Sequence, residues 1–305
     1  MKRTSSQKTP AIPDCFSLTL RIFCLLALTL AGSGVRAEDF EDCEPVRDQK
    51  RIVIIIDDVG HNLKRGRAAV DLPGKLNFAV IPYTPHGVEL AERAHKSGKE
   101  VLLHAPMSTL GNDPLSRGGL TAEMDRDEFR TTLAGALEQV PYIKGVNNHM
   151  GSDLTERRQQ MAWVMQELRW RELYFVDSRT SENTVAAQVA KEFNVPNLSR
   201  DVFLDNDRSP EQIDERFQAL LARAERDGLA IAIGHPYAET IAYLEEELLT
   251  VHDRGFRPVF VSEVVEGDAP GCESEAEDTS AAPDATTTTG TETNLVVPAE
   301  AAVRR

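Results

Sequence analysis

An α/β barrel is what this chain predicts, on three observations. First, Ile52-Val53-Ile54-Ile55-Ile56 is a β-branched run too short for a helix core, and it reads as a strand buried on both faces, as in a parallel sheet. Second, short apolar runs of this kind recur and alternate with amphipathic helical segments over Lys50 to Glu266. Third, these runs end in ionisable or amide residues. The carboxyl ends of strands are where active sites form in open α/β sheets and in barrels.

Before the barrel, the first 37 residues read as an export leader. Lys2, Arg3, Lys8 and Arg21 make it basic, Ile22 to Ala31 is a short apolar run, and Val35-Arg36-Ala37 forms an A-x-A-like cleavage site. Ten such residues are too few for a stable bilayer anchor. An uncleaved signal anchor is the alternative, and no lipid-attachment cysteine follows the run. Cleavage leaves an exported chain, expected in the periplasm, with an N-terminal extension over 38–49 and no stable membrane anchor. It removes five basic residues and one acid, so the formal charge moves from −15 to −19. That balance argues against nucleic acid or anionic lipid as a partner.

Cys15 and Cys24 leave with the leader. Cys43 and Cys272 then flank the domain and are candidates for a disulfide in an oxidising compartment, with two free thiols as the other reading. Chain entropy puts so long a closed loop at roughly 5 kcal/mol as an upper limit. From residue 267 to 305 the composition shifts to Ala, Thr, Glu, Asp, Ser and Pro, which predicts a disordered tail.

Taken in order, the strands after the first are Leu76 to Ile81, Glu100 to Leu103, Ile143 to Val146, Leu173 to Val176, Leu229 to Ile233 and Pro258 to Val261. Helices are expected at Gly87 to Ser97 (closed by Gly98), Asp127 to Gln139, Thr155 to Leu168 and Ser209 to Arg226, the last opened by Ser209-Pro210 as N-cap and first turn. About seven β-α repeats with short connections suggest closure of the parallel sheet.

The first strand ends in Asp57-Asp58, and Val59-Gly60 supplies a turn. Two adjacent carboxylates repel unless they share a proton, face a cation or bind a metal, although Asp also commonly begins a turn. The third strand ends in His104, the fourth in Asn147-Asn148-His149, the fifth in Asp177, and Gly234-His235 follows the run Leu229 to Ile233. Three of the seven histidines therefore follow barrel-type strands. His86, His95 and His252 fall in loop or helix patterns, while His61 lies close enough to Asp57-Asp58 to stay a candidate.

Asp57-Asp58-Val59-Gly60 resembles the D-D-x-G motif of the polysaccharide deacetylases, the NodB-like carbohydrate esterases. Ala94 to His104 resembles the stretch that leads into their first metal-binding histidine, and Ile231 to His235 the strand that delivers their catalytic histidine. The divergent polysaccharide deacetylase family is the closer resemblance. It is carried by Leu103-His104-Ala105-Pro106-Met107, Asn147 to Ser152, Phe175 to Thr180, Phe203-Leu204-Asp205-Asn206 and Gly234-His235-Pro236, which together cover most of Arg51 to Val265. Two departures stand out. Ser108 occupies the position of a second metal-binding histidine, and Asn147-Asn148-His149 replaces an Arg-x-Pro block.

The resemblance implies a deformed, NodB-like (β/α) barrel over residues 50–266 and a hydrolase acting on C–N amide bonds. It also implies one divalent metal, with zinc expected, and a glycan or cell-wall polysaccharide as partner. Zinc takes about four nitrogen or oxygen ligands with one position open to water. Asp58, His104 and His149 are the expected ligands, His149 replacing the histidine missing at Ser108. Asp57 would take a proton from the attacking water and His235 would protonate the departing amine. Asp177, Arg179, Asn148 and His61 are expected to orient those groups or touch substrate, although a structural Asp177–Arg179 pair fits equally. The competing function is a barrel that keeps the metal and binds glycan or an envelope partner without turnover. Phosphoryl transfer is disfavoured, because no Gly-rich phosphate loop is present.

Overall fold

The computed structural model describes residues 50–267. The leader, the 38–49 extension, Cys43, Cys272 and the tail after Gly267 lie outside the described residues. Among the described residues no helix is long and apolar enough to cross a membrane.

The chain runs β1 (Lys50–Val59), α1 (Leu63–Val70), β2 (Asn77–Val80), α2 (Gly87–Lys96), β3 (Glu100–Met107), α3 (Arg126–Gln139) and β4 (Ile143–Met150). A 3₁₀ turn (Leu154–Glu156) precedes α4 (Arg158–Trp170), β5 (Tyr174–Asp177), α5 (Ala186–Glu192), β6 (Asn197–Ser199) and β7 (Val202–Phe203). Then come α6 (Pro210–Asp227), β8 (Leu229–Gly234), α7 (Ala238–Thr250), β9 (Phe256–Pro258) and α8 (Val261–Val265). Local chemistry sets the helix ends. Asp125 caps α3 by accepting from the Asp127 and Glu128 N–H groups, Pro210 opens α6, and left-handed Gly228 closes it.

Every strand pairing is parallel, in the order β6-β5-β4-β3-β2-β1-β8-β7, with β9 beside the start of β1. β6 and β7 are the two edges, yet only Arg200 and Asp201 separate them in the chain. Three Cα steps span roughly 11 Å at most, so the sheet must curl until its edges nearly meet. The result is a curled barrel of parallel strands, open at one seam and surrounded by helices.

Two elements differ from the sequence expectation. β6 and β7 are strands of three and two residues, too short to carry a periodic signal. The expected strand Pro258 to Val261 ends at Pro258. There the Phe260 N–H donates to the Glu263 carboxylate (2.8 Å), and that cap starts α8.

Alternation along the strands sorts side chains into two layers. Ile52, Ile54 and Ile56 of β1, Leu103 and Ala105 of β3, Val146 of β4 and Phe175 of β5 pack in the large core with the helices. Val53, Ile55, Leu102, Tyr174, Val176, Ile231 and Ile233 fill the barrel interior with Val259 and Val261. Continuing that parity upward sends Asp57, His104, Asn147, His149 and His235 inward at one end of the barrel.

Just past Asp57-Asp58, Gly60 has φ +130°, and a Cβ there would lie 2.0 Å from the Thr84 hydroxyl oxygen. The β1–α1 turn can follow its path only without a side chain. Gly60→Ala is therefore expected to destabilise the domain by about 2–4 kcal/mol, from backbone strain plus overpacking. Thermal unfolding reads this directly, and an unchanged Tm would contradict it.

Candidate metal centre

A regular strand would point Asp57 and Asp58 to opposite faces. β1 avoids this with a bulge. Ile56 pairs with Phe78 and Val59 with Val80, so three steps of β1 oppose two of β2, and Asp58 adopts φ +55°. Both carboxylates thereby reach one histidine. His104 Nε2 lies 3.5 Å from Asp57 Oδ2 and 3.3 Å from Asp58 Oδ1. Met150 at the end of β4 and Arg179 after β5 are also left-handed, at φ +55° and +49°. Non-glycine residues hold such conformations at a cost of about 1–3 kcal/mol each, and they cluster at functional sites.

Asp58, His104 and His149 form a group that could hold a metal ion, their ligand atoms all lying within 4.8 Å of one another. His149 Nδ1 is 2.9 Å from Asp58 Oδ1 and 3.2 Å from His104 Nε2. Asp58 Oδ1 is buried and accepts no well-formed hydrogen bond, despite two imidazole nitrogens beside it. A buried acceptor left without a hydrogen bond and facing two nitrogens suits a cation better than a set of hydrogen bonds. The donor set, one carboxylate and two imidazoles, fits a divalent ion with one position left open.

The Asn147 side chain fixes this arrangement. Its carbonyl oxygen accepts from His104 Nδ1 (2.8 Å), which leaves Nε2 as the lone pair facing Asp58. Its amide donates to Asp57 Oδ1 (2.8 Å). Asp57 is buried, and burial raises its pKa against the opposing pull of His104, His235 and Asn147. For Asp58, burial works the same way, but the neighbouring His104 and His149 outweigh it and hold the carboxyl below its usual range. Burial disfavours the charged form of His104, yet the two carboxylates raise its pKa.

His235 also approaches Asp58, with Nε2 3.7 Å from Oδ2. Buried Asp205 accepts from its Nδ1 (2.9 Å) and its backbone N–H (2.6 Å), and also from the Thr240 hydroxyl. This pairing raises the His235 pKa despite burial and leaves Nε2 directed at the group. Phe203 and Tyr237 flank the imidazole, each with its ring centroid 5.3 Å away.

The remaining candidates have other places. Asn148 points away from the barrel interior, accepting from the Ser178 N–H and donating to the Met150 carbonyl, so it ties the ends of β4 and β5 together. Asp177 corrects the expectation that it orients a ligand or the base. It shares the helix-facing parity of Phe175, and its oxygens accept from the Arg179 N–H and the Thr184 hydroxyl, capping its own loop. Arg179 and His61 are exposed. Ser108 bonds Asp153 (2.9 Å) instead of joining the group, while His149 joins it. The sequence reading gave no role to Asn147 or Asp205. Strand parity from Val146 would have selected Asn147 over Asn148.

The architecture is thus a curled parallel barrel with a carboxylate–histidine group at its strand ends. The sequence model of the family described as Divergent polysaccharide deacetylase matches residues 54–265, and the chain belongs to that family. The deformed (β/α) barrel expected from the sequence is the fold found. Among relatives, the chain is 39% identical over 196 residues to YibQ, an uncharacterized protein of Escherichia coli K12, a match that covers 64% of this chain and spans 61% of that protein. An uncharacterized protein of Haemophilus influenzae is 36% identical over 200 residues, covering 66% of this chain and 71% of the relative. The crystal structure of an uncharacterized Agrobacterium tumefaciens C58 protein shares the fold, with TM-score 0.67 and 24% identity over 71% of this chain and 89% of that one.

Asn147→Ala should free the His104 ring and weaken divalent-metal binding by about 10–100-fold with cooperative unfolding retained. A metal titration by calorimetry checks this, and unchanged affinity would show that the amide does not orient the ligand.

Proposed function

We propose that this protein is an exported, metal-dependent hydrolase that removes acetyl groups from an N-acetylated glycan, with zinc as the metal, cell-wall polysaccharide as the substrate and the periplasm as the compartment. One observation carries the reading: Asp58, His104 and His149 converge, with Asp57 beside His104 and His235 beside Asp58. Family membership supports the substrate class, and the basic-then-apolar leader supports export.

A divalent ion held by Asp58, His104 and His149 would activate water and polarise the acetyl carbonyl. Asp57 takes the proton of the attacking water, its position set by the amide of Asn147. His235 delivers a proton from Nε2 to the departing amine nitrogen, because Asp205 already occupies Nδ1. The raised His235 pKa suits an acid.

A second reading, binding without turnover, is favoured by the two departures at Ser108 and at Asn147-Asn148-His149. Asp57 and His235, which binding alone does not need, argue against it.

Asp57→Asn and His235→Ala should each retain metal and lower acetate release from N-acetylated glycan oligomers by about 10²–10⁴-fold. His149→Ala should lose metal as well. Metal content beside acetate release separates these outcomes. Metal loss in Asp57→Asn would reverse the roles given to the two carboxylates, and a metal-loaded native protein that binds glycan but releases no acetate would establish the binding reading.

A further inference from the structure

Several arginines on this acidic surface find carboxylates, among them Arg67 with Glu89, Arg93 with Asp71, Arg158 with Glu192 and Arg254 with Glu247. Two at the barrel seam do not. Among the described residues the Arg179 guanidinium has no hydrogen bond or ion pair. Arg200 donates only to the backbone carbonyls of Ser178 and Arg179. Together with Ser181, Glu182, Asp201 and Arg223 they line a cavity of about 440 Å³, a size suited to a small-molecule group. Arg223 is already neutralised by Asp201 and Asp227, so the open donors in this cavity belong to Arg179 and Arg200.

The cavity adjoins the candidate centre. Arg200 lies over the Phe203 ring at 5.0 Å, and Phe203 is the ring that flanks His235. Partial burial and the like charge of Arg179 lower the Arg200 pKa, while the charges of Asp177, Asp57 and Asp201 act the other way. Asp177, which acts on both guanidiniums, is engaged with the Arg179 N–H and Thr184, and Glu182 forms no ion pair with either arginine. The left-handed backbone of Arg179 is held by that Asp177 contact, which fixes the loop that carries its guanidinium.

We propose that Arg179 and Arg200 form an anion subsite beside the centre, and that the substrate is an N-acetylated saccharide bearing a carboxylate, bound by these guanidinium forks. Planar guanidinium groups match carboxylate geometry with paired hydrogen bonds. The proposal rests on the glycan reading above and narrows it from N-acetylated sugars in general to acidic ones.

The test compares the purified, metal-loaded protein with Arg179→Gln and Arg179→Lys, measuring calorimetric affinity for an N-acetylated disaccharide carrying a carboxylate and for its neutral methyl ester. Arg179 is the site of choice because it is exposed, whereas Arg200 also holds the loop; Arg200→Lys, checked for cooperative unfolding, is the second variant. The native protein is expected to prefer the acid over the ester by roughly tenfold, as befits a charge-assisted contact. Arg179→Gln should abolish that preference, and both lysine variants should keep only part of it. Equal affinity of the native protein for acid and ester, no binding of either, or a preference untouched by Arg179→Gln would overturn the subsite. Preference without acetate release leaves the subsite standing and overturns the hydrolase reading. Equal acetate release from both saccharides at equal affinity does the reverse.

Discussion

Two carboxylates that are adjacent in a strand belong, by the geometry of the pleat, on opposite sides of a sheet. In β1 the extra residue between Ile56 and Val59 and the left-handed turn of Asp58 cancel that separation. Without the bulge, Asp57 would face the barrel interior and Asp58 the helices, and no group of three ligand atoms could form. Gly60 makes the bulge possible by letting the chain pass against Thr84. The buried β-branched run beneath anchors it, pairing with β8 from Arg51 to Ile56 in unbroken register.

Given both carboxylates on one side, the neighbouring residues divide them by environment. Asp58 faces two imidazoles, which hold it ionised and leave Oδ1 without a hydrogen bond. Asp57 is more deeply buried, shares the Asn147 amide, and is pushed toward its neutral form. One side chain, Asn147, touches both the base candidate and a candidate ligand histidine, so the positions of the two are coupled. Asp205 plays the matching part for His235. Two similar acids thus acquire different environments through burial and hydrogen bonding.

Much of this was legible in the sequence because the strands that build the barrel are long apolar runs and their ends carry the chemistry. Asp57, Asp58, His104, His149 and His235 could be selected as strand-end residues, and the structure brings them together. What escaped is physically explicable. β6 and β7 are too short to show periodicity, and their place follows from closing the curl. Pro258 to Val261 looks like a strand until the Glu263 cap converts its end into α8. Asp177 lies at a strand end like the others but has the wrong parity, so it serves its own loop. Asn147 and Asp205 orient other side chains through hydrogen bonds that composition does not reveal, although parity from Val146 would have selected Asn147.

In the proposed function, the bulged strand end builds a divalent-metal site from Asp58, His104 and His149 and leaves Asp57 beside it as a base. Anomalous diffraction from crystals soaked in zinc tests this most directly. One peak is expected, bonded to Asp58, His104 Nε2 and His149 Nδ1 at about 2.0–2.2 Å, with Asp57 outside the coordination shell. A peak coordinated by Asp57 in place of Asp58, or no peak at this end of the barrel, would contradict it.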